Sequence, residues 1–185
     1  MKKACVLLAD GFEEVEALTV VDLLRRAEID VTIAAVSDKL LVTGAGQISV
    51  QADKFLRDVD LDGADLLVLP GGMPGTTNLE KCPSVQEAIR SFDKKKKYIG
   101  AICAAPAILL GKAGYLKGRK ATCYPGMEEY LVGAEAVKEP VVVADHFITS
   151  RGVGVAIPFA CQLIELLISK EKASEIAASV VSSWK

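Results

Sequence analysis

The sequence feature that most constrains the fold is a single cysteine between an apolar run and a helical pattern. Residues 98–102 have the pattern of a buried strand, residues 104–112 have that of a helix, and only Cys103 separates them. Four small residues flank it: Gly100, Ala101, Ala104 and Ala105. A strand that passes so sharply into a helix needs small neighbours to relieve crowding. The pattern therefore predicts an α/β protein in which Cys103 is held out of the core and exposed.

Strand and helix patterns alternate along the chain. Strands are predicted at residues 3–9, 31–36, 65–69, 98–102, 121–124, 141–144 and 147–150. Helices are predicted at 13–27, 84–92, 104–112, 154–168 and 173–181, and a hairpin at 40–42 with 48–51. Such alternation is typical of a mostly parallel sheet with right-handed crossovers. With no linker or repeat in its 185 residues, the chain is predicted to form one domain, 1–185.

Composition and charge exclude several classes of protein. A chain that is 51% hydrophobic and 25% charged is globular, and a net charge of −2 indicates no nucleic-acid partner. No apolar run is long enough to span a membrane, and we interpret residues 4–9 as a strand rather than a targeting segment. Five cysteines without a C-x-x-C pair, and one histidine, predict neither disulfides nor a metal site. Reduced thiols are typical of a cytoplasmic protein.

Two interpretations of Cys103 remain open on these patterns alone. A thiol in a strand-to-helix turn lies near a helix N-terminus, where partial positive charge favours the thiolate and makes it a nucleophile. Most free cysteines are instead buried and inert. Cys5 and Cys161 fit that second role, Cys82 is predicted to lie in a loop, and Cys123, at a strand end, is the next candidate.

Two further features are expected at the same sheet edge as Cys103, since parallel sheets bind ligands beyond the carboxyl ends of their strands. Gly71 and Gly72 follow the strand predicted at 65–69, and their amides could form an oxyanion hole with those after Cys103. Glu13, Glu14 and Glu16 follow the first strand. Acidic residues favour a helix start, but one of the three could point into the cleft and hydrogen-bond the thiol.

Five segments in order resemble the ThiJ/PfpI superfamily, in the branch of the parkinsonism-associated protein deglycase and its bacterial relatives. They are Leu8-Ala-Asp-Gly-Phe-Glu-Glu-Val-Glu16, Val21-Asp-Leu-Leu-Arg-Arg26, Leu67-Val-Leu-Pro-Gly-Gly72, Ala101-Ile-Cys-Ala-Ala-Pro106 and Thr149-Ser-Arg-Gly152. The resemblance implies a flavodoxin-like three-layer sandwich, with a mostly parallel sheet and helices on both faces. It also implies a homodimer.

The same resemblance implies the residues of the site. Cys103 falls on the reactive, oxidation-prone cysteine and Glu16 on the glutamate that hydrogen-bonds it. Gly72 and Ala104 fall on the backbone donors beside the sulfur. We expect a further three residues to line the pocket: Gly71, Tyr124 and Arg151. Neither a metal nor an organic cofactor is expected.

One departure from the family pattern concerns the residue that partners the thiol. Many members carry a histidine where this chain has Tyr124. The pKa of a phenol is about 10, so a tyrosine is a poor general base at neutral pH. The one histidine, His146, is predicted to lie in a surface turn. The missing Cys–His pair argues against a protease or a glutamine amidotransferase.

Two functions remain open at this point. In the first, Cys103 attacks the aldehyde carbon of a small α-oxoaldehyde or a glycated group, and Glu16 moves protons, which is glyoxalase- or deglycase-type chemistry. In the second, Cys103 oxidises to a sulfinate and the protein is an oxidative-stress sensor or chaperone. A role in thiazole phosphate biosynthesis, a label attached to relatives, has less support because the sequence has no G-x-x-x-x-G-K phosphate loop.

Overall fold

Seven hydrogen-bonded strands form the central sheet in a computed structural model that describes residues 1–184. The central strands are β1 (Lys3–Leu8), β2 (Asp30–Ala35), β5 (Lys54–Phe55), β6 (Leu66–Leu69), β7 (Tyr98–Ile102), β10 (Val141–Ala144) and β11 (Phe147–Ser150). Two small ladders lie outside it, β3 (Leu41–Thr43) with β4 (Ser49–Gln51), and β8 (Lys120–Ala121) with β9 (Glu135–Ala136).

The strand order is β10-β11-β7-β6-β1-β2-β5. Only β10 runs antiparallel, against β11, and every other pairing in this sheet is parallel. The carboxyl ends of β1, β6, β7 and β11 therefore meet at one edge. The predicted mostly parallel sheet is confirmed.

Helices cover both faces of the sheet, as the resemblance implied. They are α1 (Glu14–Arg26), α2 (Gly75–Lys81), α3 (Pro83–Lys94), a π-helix (Pro106–Gly111), α4 (Ala156–Leu167) and α5 (Lys170–Ser179). One apolar core contains buried side chains of α1, α4 and α5, and a second contains those of α2, α3 and the π-helix. These three layers confirm the flavodoxin-like α/β fold.

The middle strands are apolar throughout because both their faces are covered. All four residues of β6 are 0% exposed, and their side chains alternate between the two cores. This arrangement explains why the sequence of β6 has no polar alternation: each residue, whichever way it points, meets a helical layer. None of the helices among residues 1–184 is both long and apolar enough to cross a membrane.

Several elements differ from the sequence-based predictions. Helix α2 and strands β5 and β9 were not predicted, and the strand expected at 121–124 is wrong: β8 ends at Ala121. Beyond Ala121 the chain turns toward the sheet edge, where Tyr124 N–H donates to the carbonyl of Cys103 at 2.8 Å. That hydrogen bond replaces the strand ladder and brings Tyr124 to the cysteine.

The segment after Cys103 is also wound differently from the helix predicted at 104–112. Residues 106–111 form a π-helix, in which Lys112 N–H donates to the carbonyl of Ala107, five residues back. Its last residue, Gly111, packs directly on the backbone of Tyr130, where any Cβ would overlap the Tyr130 carbonyl oxygen. Single π turns often occur beside functional sites. All six residues of this one are buried, so the sequence shows no apolar period that could separate a π turn from an α turn.

A cavity variant under β7 tests how far the helical layer supports the site strand. Phe159 on α4 is fully buried, and its ring faces Gly100 of β7. We expect Phe159→Ala to lower the free energy of unfolding by about 3–5 kcal/mol, measured by urea denaturation. Ile168, 45% exposed at the end of the same helix, is the control, and Ile168→Ala should change it by less than about 1 kcal/mol. Equal losses in the two variants would contradict this packing.

Candidate active site

Cys103 lies in a strained turn between β7 and the π-helix. Its φ of 65° is in the left-handed region, which a cysteine rarely adopts. Two hydrogen bonds fix the turn: Cys103 N–H donates to the carbonyl of Ser150 at 3.0 Å, and its own carbonyl accepts from Tyr124 N–H at 2.8 Å. The side chain is half-buried and packs against the core beneath α1 and α4. The thiol is thus held at the sheet edge, but it is half-buried rather than exposed as the sequence predicted.

Gly71 brings the thiol and the carboxyl of Glu16 together. A Cβ at Gly71 would overlap that of Cys103 and lie 2.6 Å from Glu16 Oε2 and 3.0 Å from Cys103 Sγ. Only glycine leaves this space, so the two side chains meet across the backbone of Gly71. The Gly71 N–H also donates to Glu16 Oε2 at 3.0 Å, which fixes the orientation of the carboxyl.

The Glu16 carboxyl is buried, with the residue only 1% exposed. Burial raises its pKa from 4.5 to about 7, although the Cys103 thiol and the Gly71 N–H both favour the ionised form. The second oxygen, Oε1, has no hydrogen-bond partner among the described residues. An unpaired buried carboxyl oxygen with a pKa near neutrality can accept or give up a proton at pH 7.

The Cys103 thiol is protonated when the site is empty. Burial, and then the charge of Glu16, raise the pKa of Cys103, whereas hydrogen bonds from the amides of Gly72 and Ala104 lower it. At neutral pH the thiol and the carboxyl therefore keep at least one proton between them, and the state in which both are ionised is unfavourable. Gly72 and Ala104 line the same cavity as the sulfur, so their amides can also reach an oxygen on an atom bonded to it.

The three glutamates that follow β1 have different surroundings. Glu16 contacts Cys103, and Glu13 lines the cavity above it. Glu14 begins α1, as expected of an acidic residue at a helix start, and it does not line the cavity. It is 6% exposed, and its Oε1 accepts hydrogen bonds from the amides of Gly46 at 2.8 Å and Ile48 at 3.2 Å. Glu14 therefore joins the β3–β4 hairpin to α1.

A cavity of about 910 Å³ opens above the thiol. Its lining contains the predicted Cys103, Glu16, Gly72, Ala104, Tyr124 and Arg151. Gly71 was also expected in the lining, but it lies outside it, against the side chains of Cys103 and Glu16. Sequence reasoning missed much of the remaining lining: Met73, Pro125, Met127 and the segment from Gly152 to Val155. The apolar members resemble core residues in sequence, and only their places next to Gly72, Tyr124 and Arg151 could have indicated them. The volume suits a small organic molecule.

Tyr124 stands at the mouth of this cavity. Its side chain lies over Gly152, where a Cβ would be 3.6 Å from the ring, and the residue is 51% exposed. No hydrogen bond to the Tyr124 hydroxyl is present among residues 1–184, so the group is accessible to a ligand. The residue does not take over the role of a thiol-bound imidazole.

His146 lies at the other end of the sheet. It occupies the turn between β10 and β11 as predicted, but the expectation of a surface side chain is wrong. The residue is 4% exposed, its Nε2 is 2.9 Å from Asp93 Oδ1, and its carbonyl accepts from Ile99 at the start of β7. Cys103 directly follows β7, so about four residues of strand, roughly 13 Å, separate Ile99, which His146 contacts, from Cys103.

The other cysteines and potential metal ligands do not enlarge the site. Cys5, Cys123 and Cys161 are buried, and burial raises the pKa of each. Cys82 is half-buried between α2 and α3. Within residues 1–184, no three His, Cys, Asp or Glu side chains form a group that could hold a metal ion. The chemistry available here is that of a thiol, a carboxyl of near-neutral pKa and two amide donors.

Known proteins are similar to this chain in sequence and in architecture. Residues 2–166 match the model of the DJ-1/PfpI family. Protein DJ-1 homolog B of Arabidopsis thaliana is 39% identical over 181 residues, which are 97% of this chain and 41% of the plant protein. The chain therefore spans less than half the length of that relative.

Two further matches extend over nearly whole proteins. A Caenorhabditis elegans protein named glutathione-independent glyoxalase DJR-1.2 is 32% identical over 178 residues, 95% of this chain and 94% of its own. A solved structure described as Toxoplasma gondii DJ-1, oxidized, superimposes with a TM-score of 0.96 at 35% identity and covers 100% of both chains. By its sequence and its structure, the chain belongs to the DJ-1/PfpI family.

Proposed function

We propose that the protein is a cofactor-independent glyoxalase that converts small α-oxoaldehydes to 2-hydroxy acids at Cys103. The observation that carries this proposal is the contact of a thiol with a buried carboxyl, Glu16, whose pKa is raised to about 7. The name of the nematode relative, glutathione-independent glyoxalase, supports it. Action on glycated groups would use the same first step.

The reaction begins with addition of the thiol to the aldehyde. Ionised Glu16 takes the thiol proton as the sulfur bonds to the aldehyde carbon, and the carbonyl electron pair moves onto oxygen. In this proposal the amides of Gly72 and Ala104 stabilise that oxyanion, and the way both amides lower the pKa of the thiol supports this role. Return of the proton from Glu16 to the oxygen gives a neutral hemithioacetal and restores the carboxylate.

The second stage moves hydrogen between neighbouring carbons. The Glu16 carboxylate removes the proton from C1 of the hemithioacetal and delivers it to C2, while the hydroxyl proton passes from the oxygen on C1 to the oxygen on C2; the product is a thioester of the 2-hydroxy acid. Water then hydrolyses the thioester and frees the thiol. Atoms balance as one α-oxoaldehyde plus one water giving one 2-hydroxy acid, and Glu16 ends each turnover ionised, as it began.

Replacement of the thiol tests the nucleophile. We expect Cys103→Ser to lower lactate formation from methylglyoxal at least about 100-fold, because a serine hydroxyl is a far weaker nucleophile at neutral pH. Cys82→Ser is the matched control, since Cys82 is also half-buried but lies outside the cavity. Lactate is followed enzymatically. Turnover that survives in Cys103→Ser would refute the proposal.

The pH dependence tests the carboxyl. Because ionised Glu16 is the base and its pKa is raised to about 7, kcat/KM for methylglyoxal should rise with pH and level off above about 7. Glu16→Gln should remove this rise and lower kcat/KM about 100-fold or more. Glu14→Gln, a change at a buried glutamate of the same helix, should keep it. A profile that is flat in the unmodified protein would contradict the assignment.

A second candidate function is oxidation of Cys103. One peroxide converts the thiol to a sulfenic acid and water, and a second gives the sulfinic acid and another water. Two amides already donate toward the sulfur, and protonated Glu16 can donate to a sulfinate oxygen. The description of the Toxoplasma relative as oxidized supports it. The protein would then sense oxidative stress or act as a chaperone.

Mild peroxide followed by peptide mass spectrometry separates this function from incidental oxidation. We expect the Cys103 peptide to gain two oxygen atoms before any other cysteine peptide does. Cys82 is the internal reference, since it is half-buried without these donors. Earlier oxidation of Cys82 or Cys123 would overturn the sensor role of Cys103.

We also propose a homodimer, as the resemblance implies. Val15 on α1 and Ile48 on the β3–β4 hairpin are 48% and 58% exposed. They lie close together, because Glu14 accepts a hydrogen bond from Ile48 N–H. Leu41 of the same hairpin is 55% exposed. These apolar side chains support a contact between two copies of the chain.

A further inference from the structure

The charges around the cavity are divided between its two sides. Glu13 and Glu16 of the α1 side supply its carboxylates, and among the described residues Arg151 is the one cationic side chain in its lining. The strand order explains the division. Cys103 directly follows β7. The glutamates follow β1, which lies on one side of β7 with β6 between them, and Arg151 follows β11, which lies on the other side. The thiol therefore lies between an acidic wall and a single guanidinium.

The register of β7 and β11 places Arg151 beside the cysteine. Ser150 pairs with Ile102 in this parallel ladder, and Cys103 N–H donates to the Ser150 carbonyl at 3.0 Å. Arg151 and Cys103 are thus the residues that directly follow β11 and β7, two adjacent strands whose axes are about 4.8 Å apart. An arginine at this position can reach a group bonded to a substrate atom held at the sulfur.

Arg151 differs from the other arginines in its partners. Five of the six arginines in the sequence form ion pairs within 4.0 Å of a carboxylate: Arg25 with Asp53, Arg26 with Asp22, Arg57 with Asp38, Arg90 with Glu87 and Arg119 with Asp145. Among residues 1–184, Arg151 has no such acidic partner. Its Nη1 donates to the carbonyl of Lys138 at 3.2 Å.

That single hydrogen bond orients the guanidinium and leaves most of it available. A guanidinium carries five N–H donors in a planar fork, and the Lys138 carbonyl uses one of them. The residue is half-buried in the cavity wall, so its charge is less screened there than on an open surface. Unused donors on an oriented cation match the planar, two-oxygen geometry of a carboxylate or a phosphate.

We propose that Arg151 binds an anionic substituent of the molecule that reacts at Cys103. The favoured substrates are then α-oxoaldehydes that carry a carboxylate or phosphate on the carbon chain beyond the keto group. The acidic side repels such a group and Arg151 attracts it, so the aldehyde end is directed to the sulfur. This substrate class rests on the proposed function, whereas the anion site itself does not.

Paired alkylating reagents measure the anion site without any turnover. Iodoacetate and iodoacetamide differ little in size, and each forms one S–C bond to the thiol with loss of iodide, but only iodoacetate is charged. Peptide mass spectrometry gives the rate of alkylation of Cys103 by each reagent, and the iodoacetate rate is divided by the iodoacetamide rate. This division corrects for any change in access to the thiol. We expect this ratio to fall about tenfold in Arg151→Gln, which corresponds to about 1.4 kcal/mol.

Two variants separate a local site from other causes. Arg151→Lys keeps the charge, so it should retain most of the iodoacetate preference, whereas a purely structural role of the Lys138 contact would not be rescued. Arg90→Gln removes one positive charge at an exposed ion pair on α3 and should leave the ratio within about twofold of the unmodified protein. A ratio in Arg151→Gln within about twofold of that protein overturns the proposal.

Turnover then tests the substrate class. Methylglyoxal and hydroxypyruvaldehyde phosphate share the α-oxoaldehyde and differ by a phosphate ester on the third carbon. We expect kcat/KM for the phosphate relative to methylglyoxal to fall about tenfold in Arg151→Gln. An unchanged relative value overturns the substrate class. If neither compound is converted while the alkylation ratio depends on Arg151, the glyoxalase proposal fails and the anion site stands.

Discussion

The contact of Cys103 with Glu16 across Gly71 is the constraint on which the site depends. It requires a glycine shortly after β6 and a cysteine in the left-handed region directly after β7. It also requires that α1 begins close enough to the cysteine to bury the carboxyl of Glu16. Parallel pairing of β1, β6 and β7 supplies the common edge. A change of register in either ladder would separate the thiol from its carboxyl.

The chemistry of the pair follows from where one proton resides. Burial makes two negative charges at this spacing unfavourable, so the thiol and carboxyl titrate together and keep at least one proton between them at neutral pH. Such a pair can form a nucleophile as the substrate arrives and protonate the product of the addition. The same property lets the carboxyl donate to an oxidised sulfur, which is why a single geometry serves both candidate functions.

The sequence predicted the parts of the molecule whose physics is local. Covered strands such as β6 are apolar at every residue, and the small neighbours of Cys103 are enough to indicate a sharp turn. The choice of Glu16 among three glutamates needed the family pattern, because its burial depends on the distant Gly71. Glu14 and His146 illustrate the same limit: their partners, the amide of Gly46 and the carboxylate of Asp93, lie 32 and 53 residues away. The strand β5, two residues long, has too few residues to show a period.

The conformation of Cys103 and the burial of Glu16 have a common consequence for selection on heat resistance. A left-handed, non-glycine residue costs about 1 kcal/mol, and raising the Glu16 pKa from 4.5 to about 7 costs roughly 3 kcal/mol once the pH exceeds 7. The folded protein holds a proton on Glu16 that the unfolded chain loses at lower pH. The cost of burying this carboxyl is therefore absent in acid and grows as the pH rises from 4.5 to about 7. A library screened at alkaline pH for survival of heating alone would thus be enriched in replacements at these two positions. Under the proposed function the most thermostable clones would be inactive, and only a screen that couples folding to turnover would retain the pair.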